Sequence, residues 1–197
     1  MTLADKFNLE KQVTFYMSYH DNWINMAIHL VCIWPLLITG LALGGCLSPF
    51  FSNEFLIPFN LQEYFVMDLG FFAMIVYVLW YIVLDPIAGT GASALIVYLH
   101  ALTTKWTIDY VALNGETPWK LLAMIHVTAW ILQFIGHGVF ERRAPALLDS
   151  LDQAIITAPL FVVLEVLLPL GYRKEMHTRV KKQVEINIAA FRKSKLA

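Results

Sequence analysis

Charged residues are scarce in this chain. Lys, Arg, Asp and Glu make up 15% of its 197 residues, whereas 58% are apolar and the mean hydropathy is +0.61. Soluble domains usually carry about 25% charged residues. The deficit excludes an ordinary soluble domain and predicts a membrane protein. We therefore expect the lipid bilayer as a partner and no nucleic acid.

Cysteine is scarce as well, and familiar catalytic motifs are missing. Cys32 and Cys46 both belong to the first apolar segment, which indicates neither a disulfide framework nor a CxxC zinc site. The sequence has no HExxH, GxSxG, P-loop or GxGxxG motif, and it lacks the HxxxH and HxxHH boxes of membrane desaturases. Residues 1–20 contain Asp5, Lys6 and Glu10 and no apolar core, so we predict no cleavable signal peptide.

Long apolar segments dominate the rest of the chain. They predict an all-α fold, a compact multi-pass transmembrane bundle whose four to five segments are long enough, or nearly so, for a bilayer core of about 30 Å. The predicted segments are 24–47, 64–84, 86–102, 119–140 and 153–171. Five full crossings would place the termini on opposite sides. We expect one segment to be re-entrant or buried, with 86–102 the weakest candidate and a polar loop after it.

The two ends of the chain differ from this bundle. Residues 1–171 are predicted as a single membrane-embedded catalytic domain, in which 1–22 form an N-terminal amphipathic helix on the membrane surface. Residues 172–197 carry eight Lys/Arg and two Glu and are predicted as a basic cytosolic tail, helical in structure. Such a tail beside an apolar segment is typical of the side that faces anionic headgroups. A merely solvated tail is an open alternative.

Four histidines form two pairs within apolar sequence. The first pair is His20 and His29, and the second is His126 and His137. Ionisable side chains at membrane depth are costly and often mark function, and neutral imidazole is the commonest metal ligand. Hydrogen bonding between helices is the alternative explanation.

The spacing within each pair leaves two arrangements open. Along a straight helix the members of the pairs would lie about 13 Å and about 16 Å apart, so one ion could not take both. In the first arrangement His20 faces His137 and His29 faces His126, which resembles the two tiers of a two-haem cytochrome b.

The second arrangement requires broken helices. Asp21 and Asn22 are candidate breaks beside the first pair, and Gly136 and Gly138 are candidate breaks beside the second. The outer histidine of each pair could then turn inward toward one centre. This arrangement favours a single non-haem metal.

Two motifs together resemble the fungal 2-hydroxy-fatty-acid dioxygenase family, whose members are endoplasmic-reticulum membrane proteins of phytosphingosine breakdown. The resemblance covers about residues 7–171. The motifs are Tyr19-His20-x4-Asn25-x3-His29 and Trp130-x2-Gln133-Phe-x-Gly136-His137-x2-Phe140-Glu141-x3-Pro145-Ala146-Leu147. The resemblance implies an iron(II)-dependent α-oxidation, in which a long-chain 2-hydroxy fatty acid reacts with dioxygen and becomes one carbon shorter. For example, 2-hydroxypalmitate would become pentadecanoate.

The resemblance also implies a set of site residues. The histidines that it maps to the iron site are His20, His29, His126 and His137. The residues that it marks as orienting or catalytic candidates are Asn25, Gln133 and Glu141. A 2-hydroxy carboxylate can chelate iron and leave a position for dioxygen, and histidine-rich donor sets suit non-haem iron. A salt bridge to a nearby arginine is the alternative for Glu141.

A glutamate within an apolar segment and two C-terminal lysines are further features of the sequence. Glu165 is a lone carboxylate in an apolar segment and is expected to pair within the bundle, for example with a histidine N–H. Lys193 and Lys195 resemble a dilysine retrieval signal, which predicts a multi-pass protein of the endoplasmic-reticulum membrane with a cytosolic C-terminus. A haem protein for electron transfer and a non-enzymatic helical scaffold are the alternative functions.

Overall fold

The architecture is helical throughout the described part of the chain. The computed structural model describes residues 2–50, 61–145, 150–151 and 153–195, and no strand occurs in these ranges. The helices are α1 Leu3–Lys6, α2 Leu9–Met17, α3 Trp23–Gly45, α4 Leu69–Leu84, α5 Pro86–Asn114, α6 Trp119–Ile135, α7 Ala158–Leu167 and α8 Lys174–Ser194. A short 3₁₀ helix occupies Leu61–Glu63, and π-helical segments occupy Gly136–Glu141 and Gln153–Thr157. The predicted all-α fold is confirmed.

Three helices in the described ranges are long and apolar enough to cross a bilayer. They are α3, α5 and the continuous helix Trp119–Glu141, which α6 forms with the first π-helical segment. Two shorter apolar helices, Leu69–Leu84 and Gln153–Leu167, pack beside them. The predicted four to five membrane segments therefore slightly exceed the number of long helices.

The segment predicted as the weakest crossing is the longest helix. Helix α5 has 29 residues, begins at the N-cap Asp85 and ends where Gly115 adopts a φ of 73°. Most of the polar stretch predicted to form a loop after 102 is helical instead, as far as Asn114. The Thr103 and Thr107 hydroxyls donate to carbonyl oxygens one turn earlier, at 2.8 and 2.9 Å, so their polarity does not interrupt the helix.

The N-terminal amphipathic segment ends in a break before the first long helix. Helix α2 buries Val13 and Tyr16, and the chain then leaves the helical conformation at residues 18–22. Asn22 caps α3, because its side chain accepts hydrogen bonds from the backbone N–H groups of Ile24 and Asn25. The predicted break next to the first histidine pair is therefore present.

The basic C-terminal helix is docked on α2. Arg179 forms a bidentate salt bridge with Glu10, with N–O distances of 2.7 and 2.9 Å, and the Asn187 side-chain amide donates to the Ser18 hydroxyl at 3.0 Å. Val180 is buried on the inner face of α8. Helix α8 is thus part of the fold and braces the segment that leads into the break. The predicted domain boundary at 171/172 and the cytosolic location of α8 stay predictions.

Asp85 connects α5 to the start of α8. Its carboxylate is fully buried, accepts hydrogen bonds from the Tyr172 hydroxyl at 2.6 Å and from Arg173 Nε at 3.0 Å, and caps the N–H of Ile87. Burial acts to raise the pKa of Asp85, but the hydrogen bonds from Tyr172 and Arg173 outweigh it and lower the pKa below its usual value.

The free energy of unfolding of the Asp85→Asn variant is expected to be about 1–2 kcal/mol lower than that of the parent at neutral pH. Asparagine is an equally good N-cap, so the substitution removes mainly the charged hydrogen bonds to Arg173, which is itself 40% exposed. The folded-state pKa of Asp85 is lowered. The contribution of Asp85 to the free energy of unfolding is therefore fully present at pH values above the unfolded-state pKa of about 3.9. It is lost as the pH falls through the pKa of Asp85 in the folded state.

Unfolding curves in detergent at neutral and acidic pH measure this difference. The parent and variant curves should converge in acid. Equal stability of the two proteins at neutral pH would show that the pair does not hold α8 in place.

Candidate metal centre

Three of the six histidines meet at one buried point. The ring centroids of His20, His29 and His137 form a triangle with sides of 4.5, 4.8 and 4.9 Å. One candidate ligand atom from each ring lies within 4.8 Å of the other two, and all three side chains are buried. Metal–nitrogen bonds are about 2 Å long, so small ring movements bring all three nitrogens to one ion.

His20 lies in the break between α2 and α3. Its Nδ1–H donates to the Tyr16 carbonyl at 2.8 Å, and its ring stacks on the Tyr16 ring at 4.0 Å. Burial lowers the pKa of His20 well below its ordinary value, and the nearby His29 and His137 lower it further. Its Nε2 has no hydrogen-bond partner among the residues that the structure describes. His20 therefore offers a neutral nitrogen with a free lone pair.

His29 is oriented in the same way from α3. Its Nδ1–H donates to the Asn25 carbonyl at 2.9 Å, one turn earlier, which leaves Nε2 as the available nitrogen. Metal-binding histidines commonly donate the other ring N–H to a carbonyl or carboxylate, which fixes the tautomer.

His137 lies in the π-helical segment Gly136–Glu141 that continues α6. A π-helical turn closes its hydrogen bonds over five residues, which changes the face that the next side chains occupy, and such turns are frequent at functional sites. The Nδ1 atom of His137 has no hydrogen-bond partner within the described ranges.

Glu141 holds the break in place from the end of the same π-helical segment. Its carboxylate accepts hydrogen bonds from the backbone N–H groups of Asp21 and Asn22 at 3.1 and 3.0 Å. It also accepts one from the Asn25 side-chain amide at 3.2 Å. Asn25 and Glu141, both predicted to orient or catalyse, therefore bind each other beside the histidines.

Arg143 braces the break from its other side. Its guanidinium lies 3.6 Å from the centre of the Tyr19 ring and 4.2 Å from that of Phe191 on α8, and it donates to the Ser18 carbonyl at 2.6 Å. Cation–π contacts of this kind contribute about 0.5–2 kcal/mol. The conformation around His20 is thus fixed by contacts with Tyr16, Glu141 and Arg143.

His126 does not join the other three histidines. The Trp130 indole N–H donates to His126 Nε2 at 3.2 Å, and His126 Nδ1 lies 3.0 Å from the Thr39 hydroxyl oxygen. The Thr39 hydroxyl donates in turn to the Pro35 carbonyl at 2.6 Å. These bonds form one directed chain that occupies both ring nitrogens of His126. The tier of His29 with His126, one of the two arrangements that the sequence left open, is not the arrangement in the structure.

Gln133 lines the small pocket beside the histidines. It lies one turn before His137, is buried, and its Nε2 has no hydrogen-bond partner among the described residues. The pocket has a volume of about 40 Å³, enough for about three water molecules, and Trp130 and Phe134 form part of its apolar wall. The amide of Gln133 is therefore available to a small polar group held next to the histidines.

Tyr16 is a site residue that the sequence motifs do not include. It supplies the carbonyl and the stacking surface for His20, and its hydroxyl lies beside the Glu165 carboxyl group. The only signal in the sequence is the spacing of four between Tyr16 and His20, which would place the two on one face of a continuous helix. Glu165 thus has a neighbour within the bundle, and that neighbour is a tyrosine rather than a histidine.

The donor set suits a divalent transition metal with open coordination positions. Three neutral imidazoles fit iron and zinc alike, since three-histidine sites occur in zinc enzymes and histidine-rich sites in non-haem iron enzymes. The rings stand only 4.5–4.9 Å apart, which leaves no room for a porphyrin between them. Histidines that served only as hydrogen-bond links would also have partners on both nitrogens, and within the described part of the chain His20 has a partner on Nδ1 alone.

A helical membrane-type fold with a buried three-histidine cluster defines a class, that of multi-helix membrane proteins with a candidate metal centre. The family model described as "2-hydroxy-palmitic acid dioxygenase Mpo1-like" matches residues 7–169, and the chain belongs to this family. The chain is similar to the Saccharomyces cerevisiae protein named 2-hydroxy-palmitic acid dioxygenase MPO1, with 27% identity over 179 residues and 91% of each chain covered. None of the solved structures matches it. The resemblance inferred from the two motifs is confirmed.

The Glu141→Ala variant is expected to bind metal about 10–100-fold more weakly, the usual cost of losing a group that orients a metal ligand. The variant loses the hydrogen bonds that the Glu141 carboxylate accepts from Asp21, Asn22 and Asn25. The segment between α2 and α3 that contains His20 is then less well fixed. Metal-binding titration of the purified variant measures the change.

Glu141→Gln is the matched control, because it retains one acceptor oxygen and should lie between the parent and Glu141→Ala. If both variants bound metal as tightly as the parent but turned over no substrate, Glu141 would be a catalytic group instead of a positioning residue.

Proposed function

We propose that the chain is a non-haem iron(II)-dependent dioxygenase that shortens long-chain 2-hydroxy fatty acids by one carbon. The substrates are a 2-hydroxy fatty acid and dioxygen, and 2-hydroxypalmitate gives pentadecanoate, a step of phytosphingosine degradation. The observation that carries the proposal is the convergence of His20, His29 and His137 in a chain of this family. The name of the yeast relative supports the substrate class.

His20, His29 and His137 would hold the iron. Iron(II), when bound, supplies the one-electron chemistry that lets dioxygen react with an organic acid. The chain itself contributes three neutral imidazoles, two of them fixed by carbonyl groups one turn away. His126, marked by the family resemblance, is not included in the proposed ligand set because both of its nitrogens are engaged.

The overall reaction closes without a further reductant. A 2-hydroxy acid, RCH(OH)COOH, and one dioxygen balance as the shorter acid RCOOH, carbon dioxide and water. Cleavage of the bond between carbons 1 and 2 with oxidation of carbon 2 releases the four electrons that dioxygen accepts. A single protein with a metal site is therefore sufficient for this conversion.

The pocket residues position the polar end of the substrate. The free N–H of Gln133 is placed to donate to the carboxylate or hydroxyl oxygen of an acid bound beside His137. Trp130 and Phe134 keep water away from this end of the pocket. Exclusion of water strengthens the hydrogen bond from Gln133 and protects reactive species.

The same proposal includes the location of the protein. The apolar helices suit a bilayer, and the basic helix α8 lies next to α2 at one end of the bundle. We place residues 1–171 in the membrane of the endoplasmic reticulum as the catalytic domain and α8 on the cytosolic side. The dilysine-like pair Lys193 and Lys195 supports this, although the last two residues of the signal lie outside the described residues.

The proposal is tested with purified protein in detergent, supplied with iron(II), air and 2-hydroxypalmitic acid. We expect pentadecanoic acid as the product, detected by mass spectrometry. Palmitic acid is the control substrate, since it lacks the 2-hydroxyl group and should remain unchanged. Intact 2-hydroxypalmitic acid after incubation with iron-loaded, folded protein would refute the proposed activity.

A further inference from the structure

A second, larger cavity adjoins the histidine pocket. It has a volume of about 720 Å³ and lies between α3, α4, α6 and the start of α7. Apart from Tyr77 and His126, the described residues that line it are apolar or glycine. Trp130 and Ala154 line both this cavity and the histidine pocket, so the two spaces are neighbours across these side chains.

The cavity extends along α3 away from the histidines. Ile33, Leu37, Gly40 and Gly44 line it at successive turns of the helix after His29. From His29 to Gly44 the helix rises by about 22 Å. Half of a bilayer hydrocarbon core, the depth that one layer of lipid acyl chains fills, is about 15 Å. The cavity is therefore long enough for an extended long-chain acyl group.

Near the far end of the cavity two helix backbones approach each other directly. A Cβ added at Gly70 would lie 2.2 Å from the Leu41 carbonyl oxygen, and one added at Gly44 would lie 2.8 Å from the Gly70 nitrogen. Only glycine permits this approach of α3 and α4. This contact fixes the spacing of the two helices at that end of the cavity, and we call it the floor.

We propose that this cavity is the acyl-chain site of the substrate, with the methyl end against the Gly44–Gly70 contact and the carboxyl end beside the three histidines. The proposal rests on the proposed function, because it assigns the apolar part of the same 2-hydroxy acid. The apolar lining matches a methylene chain, which offers no hydrogen bonds. The distance from the histidines to the floor then selects the chain length.

The same arrangement gives His126 a role. Trp130 separates the two spaces, and its indole N–H is held by His126, which is held by Thr39. His126 is thus a positioning residue that fixes Trp130 where the chain passes from the histidine pocket into the cavity. Polar side chains between two apolar helices are costly unless they are hydrogen-bonded. Positioning of Trp130 explains why Thr39 and His126 are present there.

The Ala73→Phe variant tests the assignment. Ala73 lines the cavity one turn from the floor on α4, so a phenyl ring there shortens the space. A chain that needs this space would have to displace the ring or fold back on itself. We therefore expect kcat/KM for the longest saturated 2-hydroxy acids to fall by about tenfold or more. Acids several carbons shorter should keep kcat/KM within about twofold of the parent value, because they do not reach Ala73.

Val76→Phe is the matched control on the same helix. Val76 is 52% exposed and is not among the residues that line the cavity, so its variant should keep the parent chain-length profile. An unchanged profile in Ala73→Phe would overturn the acyl-chain site while leaving the proposed function intact. Absence of turnover with every acid in the parent protein would refute the proposed function instead.

Photolabelling of metal-free protein provides a readout besides activity. A 2-hydroxy acid with a diazirine at its methyl end should label residues near the floor, such as Leu43, Leu47 and Leu69, and excess unlabelled acid should suppress the labelling. Labelling of bilayer-facing positions alone, without competition, would show that the cavity holds bulk lipid and would overturn the proposal.

Discussion

The His29→Ala variant is expected to bind no iron(II) and to lose activity by more than about 100-fold. Loss of a group that only orients a metal ligand already costs about 10–100-fold, and His29 is one of the three side chains that converge. His126→Ala is expected to bind one iron per chain like the parent, because His126 lies outside the cluster and is engaged with Thr39 and Trp130. Metal analysis of both purified variants after anaerobic loading measures the contrast.

The pair of variants distinguishes a three-histidine site from a four-histidine site. Unfolding curves of both proteins control for loss of structure. If His126→Ala lost its iron while folding normally, the fourth histidine would be a ligand and the described geometry would not be that of the metal-bound protein.

The Gly136→Ala variant is expected to lose metal binding and to be less stable by about 1–3 kcal/mol, the usual cost of an overpacked core. A Cβ at Gly136 would lie 2.4 Å from Oδ1 of Asn25. The Asn25 side chain cannot retreat easily, since it is fully buried and its amide donates to Glu141. A shift of the Asn25 backbone would reach His29, because the Asn25 backbone carbonyl accepts the Nδ1–H of His29.

Gly138→Ala is the matched control, two residues away in the same π-helical segment. Among the residues that the structure describes, no atom beyond the neighbouring residues and the backbone of the same helix lies within 4 Å of a Cβ added at Gly138, so this variant should bind iron like the parent. Thermal unfolding and metal content are measured for both. Equal behaviour of the two alanine variants would mean that the contact between Asn25 and Gly136 does not set the geometry of the site.

Much of the site could be predicted from the sequence because its parts are local. His20 and His29 stand on either side of Asn22, whose preference for the N-cap position predicts the break. Gly136 and Gly138 mark the second irregular segment beside His137. These breaks are what allow histidines from two segments to meet, as the single-metal arrangement requires.

The partners of His126 could not be predicted in the same way. Its place in the sequence, within an apolar helix, does not differ from that of a ligand. Its engagement depends on Thr39, which is 87 residues away in the chain and adjacent only after α3 and α6 have packed. Contacts of this kind follow from helix packing and leave no pattern in a single sequence.

The length of α5 was mispredicted for a different reason. Polar residues after position 102 indicate a loop when they are counted by polarity alone. The hydroxyls of Thr103 and Thr107 donate hydrogen bonds to backbone carbonyls of the same helix. Lys105 forms a salt bridge with Asp109, one turn away, at 2.6 Å. A polar stretch with such internal partners remains helical.

Titration of chelator-treated, purified protein with iron(II) tests the central claim most directly. The measurement follows bound iron per chain and the conversion of 2-hydroxypalmitic acid in the same anaerobically loaded samples after exposure to air. We expect conversion to be absent without iron, to rise with bound iron and to reach its plateau at one iron per chain, with no haem absorption. Full conversion by iron-free protein, or a plateau at two irons per chain, would contradict this expectation.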